Sequence, residues 1–182
     1  MPNPRRFDRV CVTTTMQSEP TTWGHLPLAG ESGTMAEEQT PDVAALQTFN
    51  QNLIDEFRSN GGKGTGPFEN ADLLLLTTTG AKSGQPRVSP LAYFRIDGQL
   101  IIIGSYAGAP VNPAWVHNLR AKPQAHIEVG TEAFDAAARE LPPAERDELW
   151  PKITAAAPGF AEYQAKTSRV IPVFELQRVS FV

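Results

Sequence analysis

The chain has 182 residues, 41% of them hydrophobic and 20% charged, with a formal net charge of −4 at pH 7. That length suits one domain with its own core and is too short for two comfortable ones, and the acidic balance argues against a nucleic-acid partner, which calls for a domain-wide basic bias. A single cysteine, Cys11, excludes an internal disulfide framework, and no run approaches the roughly 18 consecutive apolar residues of a membrane span.

Residues 1–40 are rich in Pro, Thr, Ser, Gly and Glu without apolar periodicity, and read as a disordered or loosely attached tail. Arg5, Arg6 and Arg9 precede only Val10-Cys11-Val12, too short for the apolar heart of a signal peptide. The expected location is therefore cytoplasmic. Met35 opens "MAEEQTPDVAALQ", which resembles an ordinary protein start, so residues 1–34 read as an extension and residues 41–182 as the domain.

From Pro41, the apolar positions Val43, Leu46, Phe49, Leu53, Ile54 and Phe57 recur at steps of three and four and predict a helix. It stops at "SNGGKGTGP", where glycines and a proline make helix unfavourable. Strands follow at Leu73–Thr79, Val88–Ile96, Leu100–Ser105, Ala125–Val129, Ala133–Arg139 and Val170–Val179. "IDGQ" and "VGTEAF" mark hairpins. Short helices are expected over Asn112–Ala121, with Asn112 as cap and Pro113 as first helical residue, over Pro142–Ile153, and over Gly159–Lys166. Hairpin-linked strands with few long crossovers favour an antiparallel barrel over a doubly wound sheet.

The stretch "TTTGAKSGQPR" leaves the apolar run Leu73–Leu76 through two glycines, Gly80 and Gly84, with Lys82 and Ser83 between them and Arg87 beyond. Such a bend can converge backbone N–H groups on an anion beside two fixed cations, with Arg87 able to grip a phosphate in two prongs. An ordinary solvent-exposed hairpin with surface cations has the same appearance. The spacing departs from a Walker A loop. Downstream, "GSYAGAPVNPAW" offers small residues for close approach to a flat ligand, Trp115 as a stacking face or a core residue, and Asn118 one helical turn on. His25, His117 and His126 form no metal-ligand spacing, so no metal is expected. No GxSxG elbow is present either, which leaves chemistry to a bound cofactor.

Together, "LLLLTTTGAKSGQPRVSPLAYF", "IIIGSYAGAPVNPAWVHNL" and "PGFAEYQAKTSRVIPV" resemble the actinobacterial deazaflavin-dependent nitroreductases, over roughly residues 43–179. The resemblance implies a mainly β fold with flanking helices (α+β), a split β-barrel of the flavin-reductase type. It implies coenzyme F420 as cofactor, and transfer of a hydride to a quinone, an enone or lactone, or an activated nitro compound. Lys82, Ser83 and Arg87 would hold the cofactor's phosphate; Pro90, Gly104, Ser105 and Tyr106 would border its ring, with Trp115 and Asn118 near it. Lys63 would reach its polyglutamate tail. Ser105 and Tyr163 are the expected catalytic donors to charge developing on the acceptor.

Where the nitroimidazole-activating member lines its acceptor pocket with tyrosines, this chain has Ala157, Phe160, Tyr163 and, on the strand, Ala92. A wider, more apolar pocket and a preference for quinones over bicyclic nitroimidazoles are the expectation. Rival readings are an FMN-binding reductase of the same barrel class and a non-catalytic F420 carrier. Peripheral membrane association through the amphipathic first helix is the other expectation that helix raises, beside plain packing on the barrel.

Overall fold

The computed structural model describes residues 43–65, 68–69 and 71–179. The readings made for residues 1–40, Cys11, His25 and Met35 among them, lie outside that range. In chain order the elements are helix α1 (Val43–Ser59), strands β1 (Leu73–Thr79), β2 (Pro86–Ile96) and β3 (Gln99–Ile103), helix α2 (Ala114–Ala121), strands β4 (Gln124–Val129) and β5 (Glu132–Glu140), helices α3 (Pro143–Ala156) and α4 (Gly159–Ala165), and strand β6 (Val173–Arg178). The strands close into an antiparallel barrel in the order β1-β2-β3-β6-β5-β4.

Alternation explains the apolar runs. In "LLLL" of β1, Leu74 and Leu76 point into the barrel, while Leu73 and Leu75 lie under Leu53, Ile54 and Phe57 of α1. In β3, Leu100 and Ile102 point inward, and Ile101 and Ile103 lie under Leu149, Ile153 and Phe160 of α3 and α4. A strand buried on both faces reads as a continuous apolar run instead of an alternating one. Helix α2 closes one mouth of the barrel with Trp115, Val116 and Leu119. The β2–β3 turn places Asp97 at φ 52° and Gly98 at φ 81°, the doubly left-handed turn whose twist matches the flanking strands.

Several boundaries shift by one to three residues, and three of the shifts have a clear local cause. Strand β3 stops at Ile103 because the Gly104 N–H turns to the Pro172 carbonyl, 2.9 Å away. Strand β6 starts only at Val173, since Pro172 has no N–H to give a ladder. Asn112 does not cap α2: Pro113 is the N-cap residue, without a side-chain cap hydrogen bond. Among the described residues no helix is long and apolar enough to cross a membrane.

Candidate functional site

Strand β1 pairs with β2 from Pro86 to Ala92, but β3 pairs with β2 only from Tyr93 to Ile96. The Pro86–Leu91 half of β2 thus has no strand on its second side. That open edge lies between two loops, the β1–β2 corner and the segment after β3.

The corner is a tight, self-bonded loop. The Gly80 N–H donates to the Gln85 carbonyl and the Gly84 N–H to the Gly80 carbonyl, both at 2.8 Å. Gln85 N–H donates to Ser83 Oγ at 3.3 Å. Gly84 takes φ +67°, the left-handed region that favours glycine, while a Cβ on Gly80 would meet the Ser83 hydroxyl, which can rotate aside. The backbone N–H groups of Lys82 and Ser83 have no acceptor among the described residues, and the side chains of Lys82, Ser83 and Arg87 are exposed.

The local charge is unusual for an acidic chain. Between Leu73 and Ile127 there are five cations, Lys82, Arg87, Arg95, Arg120 and Lys122, against one acid, Asp97. Of these, Arg120 is paired with Glu140, and outside the stretch Arg58 is paired with Glu128, Arg139 with Glu145 and Glu175, Arg146 with Asp147, and Arg178 with Glu132. The hydrogen bond from Arg58 holds the Glu128 carboxyl below the usual carboxylate range. Arg95 lies over the Tyr93 ring. Among the described residues, Lys82 and Arg87 have neither an acid nor a ring as partner, which leaves a doubly cationic corner open to an anion.

Asn118 ties this corner to the barrel. It is 7% exposed, accepts from the Ala81 N–H at 2.9 Å through Oδ1, and donates through Nδ2 to Thr78 Oγ1 at 3.0 Å. The expected ligand hydrogen bond is thereby replaced by a positioning role, because both ends of its amide are directed at the protein. Trp115 is corrected in the same way. It is 5% exposed and meets Phe174 edge-on with ring centroids 5.5 Å apart, so it builds the core behind the site and offers no stacking face.

The segment after β3 is crowded and strained. A Cβ on Gly104 would lie 2.8 Å from Val116 Cγ2 and 2.9 Å from Pro172 Cγ. Ser105 is fully buried. Tyr106 (φ 46°), Ala107 (φ 53°) and Gly108 (φ 81°) then form a left-handed turn, a conformation that costs a non-glycine residue roughly 1–2 kcal/mol. Helix α4 backs the turn: a Cβ on Gly108 would meet the Tyr163 carbonyl oxygen at 2.8 Å. Tyr163 is half-buried, edge-on to Phe160 at 5.8 Å.

Arg169 fills the inside of this segment and was not singled out by sequence reasoning. Its Nε donates to the Ala109 carbonyl at 2.8 Å. Nη1 donates to the Gly104 carbonyl at 3.1 Å and to Asn112 Oδ1 at 2.8 Å, and Nη2 to the Ser105 carbonyl at 2.6 Å. The available signal was a pair of cations, Lys166 and Arg169, in a stretch free of acids between Glu162 and Glu175.

Other expected site residues fall elsewhere. Pro90 is buried opposite Leu75, on the face that α1 covers. Ala92 packs on that same cluster while Tyr93 packs on the barrel interior, so the two do face opposite ways. Ala157 and Phe160 are core residues, 0% and 5% exposed, and cannot widen a pocket as expected. Lys63 is exposed in the loop after α1, whose Gly62 abuts Gly130 in the β4–β5 turn. Val129 pairs with Leu74, so this loop sits at the other end of β1 from Lys82, roughly 20 Å away at ~3.3 Å per residue. Lys63 is not brought to the cationic corner.

The model of the F420H(2)-dependent quinone reductase family matches residues 51–178. An F420H(2)-dependent quinone reductase of Mycobacterium tuberculosis is 42% identical over 108 residues, covering 58% of this chain and 72% of that protein. The solved structure of an F420-H2 dependent reductase superposes with a TM-score of 0.53 at 40% identity, covering 58% of this chain and 94% of the other. A second, described as a domain-swapped dimer, gives 0.55 at 34% identity, covering 72% and 99%.

Proposed function

The chain belongs to the F420H(2)-dependent quinone reductase family, and on that premise we propose that it reduces a quinone at the open edge of β2, with Lys82, Ser83 and Arg87 holding the cofactor's phosphate. Enones and activated nitro compounds are the further acceptors in this reading. The carrying observation is the corner itself: two exposed cations and two backbone N–H groups that have no partner among the described residues, on a bend whose Gly84 takes a left-handed φ. That donor set suits a phosphate. When bound, reduced F420 supplies a hydride.

The chain's own part is to bind, orient and stabilise charge. Lys82 and Arg87 anchor the anionic arm. The Gly104–Gly108 segment borders the ring, and Tyr163 stands beside it as a donor to the acceptor oxygen on which negative charge develops; Ser105, fully buried, presents no donor there. F420 titrated by fluorescence should saturate, and menadione added to the reduced complex should reoxidise it faster than in protein-free buffer. No saturation would overturn the reading, and saturation without reoxidation would leave a carrier in its place. A tightly held yellow chromophore would point to FMN. Bicyclic nitroimidazole turnover matching that of menadione would remove the quinone preference.

Two substitutions separate binding from chemistry. Tyr163→Phe should lower turnover with menadione by about 10²-fold, the typical loss of one donor, with F420 affinity within about threefold. Unchanged turnover would remove Tyr163 from the site. Asn118→Ala leaves the Ala81 N–H and the Thr78 hydroxyl without their partner, at about 1–3 kcal/mol of stability. A lower denaturation midpoint together with roughly tenfold weaker F420 binding is expected; a stability loss alone would separate Asn118 from the cradle.

A further inference from the structure

We infer that Arg169 is a positioning residue for the reaction, acting through the peptide groups of the left-handed turn that borders the site; this rests on the assignment of the Gly104–Gly108 segment to the ring. Two features carry it. The guanidinium meets four acceptors, Gly104, Ser105 and Ala109 carbonyls and Asn112 Oδ1, all within one nine-residue segment. The segment holds two non-glycine residues at positive φ, Tyr106 and Ala107, and such strain persists only where surroundings over-determine it.

The charge acts through the peptide bond. A carbonyl that accepts from a cation withdraws electron density along its conjugated amide, so the N–H on the far side of that plane becomes a stronger donor. The Ser105 carbonyl shares its peptide with the Tyr106 N–H, and the Gly104 carbonyl shares its own with the Ser105 N–H. The 2.6 Å contact to the Ser105 carbonyl is the shortest of the set. The Tyr106 N–H has no acceptor among the described residues. Arg169 thus both fixes the turn and sharpens the Tyr106 amide, at the place where an acceptor oxygen gathers charge.

The turn also couples to α4. Gln164 donates through Nε2 to the Arg169 carbonyl at 2.7 Å and accepts from Arg146 Nη2 at 2.8 Å. Arg146 in turn lies over the Trp150 ring, 4.1 Å from its centroid. Arg169 is therefore held in place from behind by α3 and α4, as a residue that organises a strained loop must be.

The test compares the parent protein with Arg169→Ala and Arg169→Lys, each with and without millimolar guanidinium chloride, with urea as control. Without any ligand, Arg169→Ala should raise amide hydrogen exchange at least tenfold in residues 104–112, with β1, β4 and β5 unchanged. Single-turnover reoxidation of the F420 complex by menadione should fall about 10–100-fold, while the F420 Kd stays within about threefold because the phosphate corner is a separate loop. Arg169→Lys should recover less than tenfold of the lost rate, since an ammonium cannot span four acceptors. Added guanidinium, and not urea, should restore rate and protection in Arg169→Ala. Exchange rising uniformly through the barrel, unchanged local exchange, or rate and Kd weakening in equal measure would each overturn the inference. A parent protein that fails to bind F420 would instead overturn the functional reading, while the exchange comparison would still decide the role of Arg169 in the turn.

Discussion

The Lys82→Ala/Arg87→Ala protein is expected to bind F420 about 100-fold more weakly than the parent and to fold as stably. Hydrogen bonds to charged groups contribute about 1.5–3 kcal/mol each. Both side chains are exposed, so screening by salt puts each at the low end, and the pair near ~3 kcal/mol, a factor of about 100 in affinity. Stability should not follow, because neither cation has an acid or ring partner in the fold to lose. Fluorescence titration at two ionic strengths measures this directly. The parent's affinity should fall with added salt, and the variant's should depend on salt less. A double variant within threefold of the parent would show that the anion is held elsewhere.

Gly62→Ala should do the opposite, removing stability while sparing the site. Gly62 sits at φ +78°, and a Cβ there would lie 1.9 Å from the Gly130 carbonyl oxygen and 2.4 Å from its Cα. These are backbone atoms that cannot swing aside. The Gly62 N–H also donates to the Phe57 carbonyl at 2.8 Å, the bond that ends α1. Left-handed strain of about 1–2 kcal/mol, with the clash added, places the loss near ~4 kcal/mol, or a Tm about 10 °C lower for a chain of this size. In the cold, where the variant is folded, its F420 affinity should equal the parent's, since the loop lies at the far end of β1. A Tm within 2 °C of the parent would mean that the two loops do not meet as described.

The contrast between these loops shows how far the residues alone could be read. Both are glycine-rich with a lysine, and sequence resemblance assigned both to the cofactor. Only the pairing of Leu74 with Val129 and of Thr78 with Ala125 puts them at opposite ends of one strand. Trp115 and Asn118 teach the same lesson. One helical turn apart, they looked like a pair of ligand contacts, yet one is directed at Phe174 and the other at Thr78 and Ala81. A helix face is legible from spacing; what the face meets is not. Ala157 and Phe160 were read as pocket positions because a relative's tyrosines stand there, and the packing of α3 and α4 puts them in the core.

What the sequence determined by itself is local. Strand β1 was bounded to the residue, the Asp97-Gly98 turn carried its own geometry, and the glycines of the corner marked a tight bend, because alternation and turn chemistry act between neighbours a few positions apart. The open edge of β2, the corner's anchor on Asn118 and the grip of Arg169 on a turn some 60 positions away were decided by the tertiary structure. They arise only when β6 closes the barrel beside β3 and carries the preceding residues onto the loop that β3 leaves behind.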